Sequence, residues 1–262
     1  MGVIAVETQA VDNGGAVAIL RLNVPDRRNT IGLDTVSAII EAFAEFESET
    51  SNVGAVVITG TGRAFCAGAD LSQLSAHGEA DAADREAGLR QIYEGFLRIA
   101  RSSLPTVAAV NGPAVGAGLN LALCCDVRIA GRSARFDPRF MQLGLHPGGG
   151  HMWMLQRTVG PQVAAAMVLF SEALNAEEAL RHGLVLDVVE DEALAAQAVE
   201  FAARAASAPR ALIQRAKREL MMPPDEHARA VDREIEAQVW SMEQPFFAER
   251  LAQLRQRMAQ KG

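Results

Sequence analysis

The sequence predicts an α/β protein with a largely parallel sheet, followed by a helical region. Three observations carry this. Strand-like apolar runs alternate with helical ones as far as residue 190. Two of the runs, Val53–Thr59 and Thr106–Val110, are almost continuously apolar, the pattern of strands buried on both faces. From Asp191 onward the chain reads as helix, broken at Ala208-Pro209, Pro223-Pro224 and Gln244-Pro245. The expected division is a core over residues 1–190 and a C-terminal helical region over 191–262.

In order, Val3–Val6 and Val17–Leu22 read as short strands joined by the turn Asp12-Asn13-Gly14-Gly15. Pro25 to Asn29 is a loop carrying Arg27 and Arg28. Leu33, Val36, Ile39, Ile40, Phe43 and Phe46 follow the helical period, predicting a helix over 33–49. The strand Val53–Thr59 runs into a glycine-rich turn, Gly60 to Asp70, where Asp70 and Gln73 have capping-box spacing. Small and polar residues over 75–86, His77 among them, predict a mobile loop. A helix over about 87–102 comes next, then Thr106–Val110 and a second glycine-rich turn containing Gly112, Gly116 and Gly118. That turn opens the apolar helix Leu119–Leu123. Short strands are expected at Val127–Ala130 and Ala134–Phe136, an irregular stretch at 137–151, and helices at 150–158 and 161–171. Asn175 and Glu178 form a capping box for a helix ended by Gly183, and Leu184–Val189 reads as the last strand.

The chain has 262 residues, a hydrophobic fraction of 49% and a net charge of −7. A sizeable core is therefore available, and nucleic acid is excluded as a main partner. No apolar run approaches the length of a membrane span. Met1 to Ala10 lacks the basic start and apolar centre of a signal peptide, so a cytoplasmic protein is expected. The cysteines are Cys66, Cys124 and Cys125; the adjacent pair has no metal-ligand spacing and falls in an apolar helical run, so buried free thiols and no metal are expected.

Two strand–turn–helix units can aim backbone N–H groups from different turns at one carbonyl oxygen, which makes an oxyanion hole. A thioester enolate suits such a site because its charge resides on one oxygen. Other readings of the glycines fit less well. Gly60-Thr-Gly62 lacks the third glycine and the distant acid of a dinucleotide fingerprint, no Walker lysine follows Gly116 or Gly118, and there is no Gly-x-Ser-x-Gly elbow.

At these residues the sequence resembles the crotonase superfamily, the enoyl-CoA hydratase/isomerase family. Phe65-Cys-Ala-Gly-Ala-Asp70-Leu, Ala109 to Gly118 with Cys125-Asp126, Leu143 to Gly150, and Leu174 to Val185 resemble its four signatures in order. The resemblance implies a crotonase (ClpP/crotonase-like) spiral of ββα units with a C-terminal helical trimerisation region, forming homotrimers or dimers of trimers. It implies an acyl-CoA thioester ligand and no cofactor, coenzyme A being part of the substrate. It assigns the oxyanion hole to the N–H groups of Ala69 and Ala117, beside Gly116. It lays the coenzyme along Ala67, Asp70 and Leu71, with Arg28 either near the phosphates or a solvated cation.

The same alignment exposes departures. The two hydratase glutamates fall at Asn120 and Phe140, and neither residue is a useful acid or base; Asn120 could instead hydrogen-bond a substrate carbonyl or a water, or bond the helix backbone. Some family isomerases carry aspartate where this chain has Gly148. The titratable residues nearby are Asp137, His146 and His151; an imidazole titrates near neutral pH, so His146 is the candidate for proton transfer, with a loop-carbonyl bond as its structural alternative. Trp153 and its apolar neighbours belong either to the core or to an acyl-pocket wall. The expected activity is isomerase-type or nonstandard chemistry on an acyl-CoA; the alternative is a catalytically silent acyl-CoA-binding protein.

Overall fold

The computed structural model describes residues 2–12, 14–70, 82–220 and 224–260. The elements are β1 (Ile4–Ala10), β2 (Ala16–Leu22), α1 (Leu33–Phe46), β3 (Val53–Gly60), α2 (Ala82–Ala100), β4 (Thr106–Val110), β5 (Pro113–Val115), α3 (Ala117–Leu123), β6 (Val127–Gly131), β7 (Arg135–Asp137), α4 (His151–Leu169), β8 (Leu174–Asn175), α5 (Ala176–Arg181) and β9 (Asp187–Val189). Four helices complete the described chain: α6 (Leu194–Ala206), α7 (Arg210–Leu220), α8 (Pro224–Met242) and α9 (Pro245–Ala259). Short 3-10 turns lie at Pro25–Arg27 and Met141–Leu143.

Six strands form the main sheet in the order β1-β2-β3-β4-β6-β9. The edge strand β1 runs antiparallel to β2, and the other pairings are parallel. A second, three-stranded sheet, β5-β7-β8, stands beside the glycine turns. Alternation along the central strands serves two faces at once, because successive side chains point to opposite sides. Ala18, Leu20, Val56, Ile58, Ala108 and Val110 join the large core with α1, α2 and α3. Val17, Ile19, Ala55, Val57, Val107 and Ala109 face the other way, onto Leu194, Ala198 and Ala202 of α6. That double burial is why β3 and β4 read as unbroken apolar runs.

The edge strand β1 is longer than its sequence pattern, with six of its seven residues exposed and tied to β2 by backbone pairing. The first helix stops at Phe46, three residues short of expectation, and Glu47 there accepts from Arg98, Ser102 and Ser103 instead. The helix read at 87–102 starts at Ala82, so residues 82–86 of the expected loop are helical. Residues 75–81, with His77, lie outside the described residues, as does Gln73 of the capping box at Asp70. Between Val110 and the helix at Ala117 the chain forms β5, which pairs with β7. The strand read at Leu184–Val189 contains only Asp187–Val189, because the N–H groups of Leu184 and Val185 turn back to the Ala179 carbonyl. The helices read at 150–158 and 161–171 appear as one run, bent at non-helical Gly160 before Pro161. The capping box of Asn175 and Glu178 is formed.

Helix α7 is pinned by a buried charge: Lys217 Nζ donates to Asp126 Oδ2 at 2.7 Å and to the Leu104 carbonyl at 2.6 Å. Helices α8 and α9 add Val231, Ile235, Phe247 and Leu251 to the large core. No described helix is long and apolar enough to cross a membrane.

Candidate active site

The two glycine turns interlock. Cys66 pairs with Ala114 in a parallel bridge: Cys66 N–H donates to the Pro113 carbonyl at 3.1 Å and Val115 N–H to the Cys66 carbonyl at 2.9 Å. A Cβ on Gly118 would stand 2.1 Å from the Cys66 carbonyl oxygen, so only glycine allows this approach. Gly68, at φ +101°, is held against Val115, where a Cβ would lie 2.9 Å from the Val115 carbonyl oxygen and 3.8 Å from the Ala117 nitrogen. The first turn is also tied to the loop before α1. Ile31 donates to the Gly68 carbonyl and accepts from Asp70 N–H, so this bridge leaves the intervening Ala69 N–H unused. Ala117 is the first residue of α3, and its N–H has no acceptor within the helix. Ala69 and Ala117 are both half-buried beside the core. Gly116 N–H, by contrast, is committed to the Asp137 carbonyl at 2.9 Å.

The third glycine turn, Gly148 to Gly150, is bound to α3 through Asn120. The Asn120 amide donates to the Gly148 carbonyl at 2.8 Å, and its Oδ1 lies 2.6 Å from His151 Nδ1. With the amide nitrogen facing a carbonyl, Oδ1 is the acceptor and His151 Nδ1 the donor. His151 is wholly buried, edge-on to the Phe140 ring at 5.0 Å, and its Nε2 has no partner among the described residues. Burial pushes the imidazole down to about 3, so it stays neutral. The position equivalent to the second glutamate thus packs a phenyl ring against a neutral histidine.

Helix α8 supplies a side of the site that sequence reasoning missed. A Cβ on Gly148 would meet Tyr93 Oη at 2.0 Å and Gln238 Oε1 at 2.3 Å, so side chains from α2 and α8 fill the place a residue there would take. Tyr93 hydroxyl donates to Gln238 Oε1, and Gln238 Nε2 donates to the His146 carbonyl at 2.8 Å. Glu234 reaches the N-terminus of α4, where Oε1 accepts from Met152 N–H at 3.0 Å. It is 4% exposed, and Oε2 is buried with no hydrogen-bond partner among the described residues. Burial drives the carboxyl up to about 7, although the N–H groups of Met152, His151, Gly150 and Trp153 favour the charged form. The signal was present in the sequence: Ala230, Val231, Glu234, Ile235, Gln238 and Met242 share the buried stripe, so two polar residues stand where apolar ones are expected.

The side chains of several other candidates have partners of their own. His146 is half-buried; its N–H donates to Ser241 Oγ at 2.9 Å and its Nδ1 donates to the Pro147 carbonyl at 2.7 Å, the loop-carbonyl arrangement. Burial lowers its imidazole, and the Pro147 bond opposes that. Trp153 stacks on His227 of α8 at 4.8 Å with Arg157 over its ring, so an interhelical contact engages the indole. Asp137 is buried and paired with Arg139, whose Nε stands 2.9 Å from Oδ2. Arg28 is exposed and contributes its carbonyl, which accepts from Ala67 N–H at 2.9 Å; Arg27 instead pairs with Asp70 at 2.8 Å. Leu71 lies outside the described residues. The three cysteines are buried and free, and burial pushes Cys66 and Cys125 up to about 12. Among the described residues no group of three or more His, Cys, Asp or Glu side chains could hold a metal.

Comparisons with known proteins agree with this architecture. A family model described as enoyl-CoA hydratase/isomerase matches residues 12–250. The probable enoyl-CoA hydratase EchA14 of Mycobacterium tuberculosis is 49% identical over 243 residues, covering 90% of this chain and 93% of that protein. The 1,2-epoxyphenylacetyl-CoA isomerase of Escherichia coli is 36% identical over 194 residues, 74% of each chain. The crystal structure of an enoyl-CoA hydratase/isomerase from Pseudoalteromonas atlantica superposes with a TM-score of 0.84 at 27% identity, covering 96% of this chain and 97% of that one. The chain has the crotonase fold and belongs to the enoyl-CoA hydratase/isomerase family.

Proposed function

We propose that the protein transforms an acyl-CoA thioester by way of an enolate, in isomerase-type chemistry and not by standard hydration. The observation that carries this is the interlocking of the two turns, which sets Ala69 N–H and Ala117 N–H on adjoining segments with no acceptor of their own in the bridge or the helix. Such donors stabilise charge as it develops on a thioester oxygen, and one of them is worth about 3 kcal/mol of barrier. Hydration needs a pair of carboxylates around a water. Asn120 and Phe140 stand in those places, the first committed to Gly148 and the second to a ring contact. The similarity to an epoxyphenylacetyl-CoA isomerase favours the isomerase side, although another relative carries a hydratase name. His146 is the proton-transfer candidate raised by the sequence; with Nδ1–H on Pro147, Nε2 is the nitrogen left to accept.

A catalytically silent acyl-CoA-binding protein is the second reading, favoured by the full commitment of the Asn120 side chain. The two are separated by incubating the protein with 2-enoyl- and 3-enoyl-CoA thioesters in heavy water. Isomerisation with deuterium entering the α and γ carbons is the expected result. Binding without exchange on any thioester supports the silent reading, and fast water addition contradicts the inference from Asn120 and Phe140.

A further inference from the structure

Hydration would need a water held between the two positions where a hydratase carries glutamate. Those positions, Asn120 and Phe140, are both in contact with one further side chain. The third turn, with Gly149 and Gly150 at φ +74° and +80°, brings His151, the first residue of α4, inward against α3. Its Nδ1 lies 2.6 Å from Asn120 Oδ1, the separation at which a bound water would stand. Its ring meets the Phe140 ring edge-on, with centroids 5.0 Å apart. Asn120 comes three residues after Ala117 on α3, so this space lies one helical turn from the proposed oxyanion donor.

We propose that His151 is the residue that bars water from this site, its imidazole filling the space between Asn120 and Phe140 in which a hydratase would hold its nucleophile. The assignment rests on the isomerase-type reading above and deepens it. Missing carboxylates leave a water without activation; the imidazole leaves it without a place. Reaction specificity is then set by the start of α4 as well as by the residues at the two glutamate positions.

The surroundings suit a fixed filler. A Cβ on Gly149 would meet Phe96 Cζ at 2.5 Å and Asn120 Nδ2 at 3.2 Å, so Phe96 of α2 and the backbone of the turn close in on Asn120 from other sides. Asn120, Phe96, Phe140 and His151 are all buried. A buried water needs room and several polar partners. Here the Asn120 amide is bonded to Gly148 and its oxygen to His151, the two phenyl rings offer no hydrogen bond, and His151 Nε2 is a single open acceptor. Histidine serves better than an apolar residue of similar size, because its Nδ1–H satisfies Asn120 Oδ1, which would otherwise be buried bare. Burial keeps the ring neutral, so it needs no counter-ion beside the amide and the phenyl ring.

The test uses the full-length protein and a 2-enoyl-CoA thioester near neutral pH, with formation of the 3-hydroxyacyl-CoA followed. The double variant Asn120→Glu/Phe140→Glu supplies both carboxylates and keeps the imidazole, and it should hydrate no faster than wild type. Adding His151→Ala to that pair should raise hydration by about 100-fold or more, the scale of general acid–base catalysis. Free imidazole should slow the triple variant again by refilling the space. Double and triple variants that hydrate within about threefold of each other, fast or slow, overturn the assignment and leave the enolate reading standing. Wild-type deuterium exchange at the α carbon, measured alongside, tests the enolate reading by itself, and its absence on every thioester removes both. Should the carboxylate variants not fold, a crystal structure of the wild type decides. An ordered water hydrogen-bonded to the Asn120 side chain overturns the role of His151, and the imidazole alone on Asn120 Oδ1 upholds it.

Discussion

At the residue scale, Asn120 ties α3 to the third glycine turn. Its amide is used twice, donating to the Gly148 carbonyl and accepting from His151. Replacing it with aspartate removes the donor and sets a carboxylate against a carbonyl. Asn120→Asp is expected to cost about 2–3 kcal/mol in urea unfolding and to loosen the third turn. Restoring a hydratase-like acid here should therefore not restore hydration. Glu234 makes the second residue-scale prediction. Its folded titration near 7 lies above the ordinary 4.5, so between those values the folded chain holds a proton the unfolded chain has lost. The stability from keeping it neutral is complete below about 4.5 and is lost as pH rises through about 7. Glu234→Gln should thus be more stable than wild type at pH 8, by on the order of 2 kcal/mol, and show little difference at pH 4. Denaturant titrations of both proteins at the two pH values check this; an equal difference at both contradicts it.

At the element scale, glycines decide which segments can touch. Gly118→Ala would drive a methyl into the Cys66 carbonyl, so the turns would have to part. Thermal unfolding should register a loss of about 3 kcal/mol or more, accompanied by loss of acyl-CoA binding. Gly148→Asp, which imitates some family isomerases, meets the Tyr93 hydroxyl and Gln238. It should destabilise by about 1–3 kcal/mol and gain no activity; a fully active variant would show that the α2 and α8 side chains yield freely. Helix α7 has its own pin. Lys217→Ala strands Asp126 without its cation and is expected to cost about 3 kcal/mol, read by denaturant unfolding, with KM for acyl-CoA unchanged.

The same scale explains what could be read beforehand. Strands β3 and β4 were legible because burial on both faces forces continuous apolar runs, and the glycine turns because close backbone contact leaves no other residue. The three-residue strand β5 was not legible, since Pro113-Ala-Val115 is too short for a period and gains its order from pairing with β7. The early start of α2 escaped because its first turn is small and polar, like a loop. Glu234, Gln238 and Tyr93 have no motif around them. Their role comes from tertiary packing of helices distant in sequence, and only the polar interruption of the α8 stripe hinted at it.

On the scale of the whole molecule, the sheet is a platform with work divided between its ends and faces. Helix α6 seals one face, and the other supports the turns at whose junction Ala69 and Ala117 stand. Helix α8 then closes over the third turn from the far end of the chain, so the C-terminal region contributes to the site as well as to the core. In the proposed reaction the turns hold the developing charge. Enolate stabilisation by the turns can be tested without knowing the natural acyl group. A saturated acyl-CoA, such as butyryl-CoA, is held with the protein in heavy water and its α-carbon protons are followed by NMR. Enzyme-dependent loss of the α-proton signal with no change in the β protons is the expected result. Saturated binding of the thioester with α protons that persist at the solvent rate would contradict it.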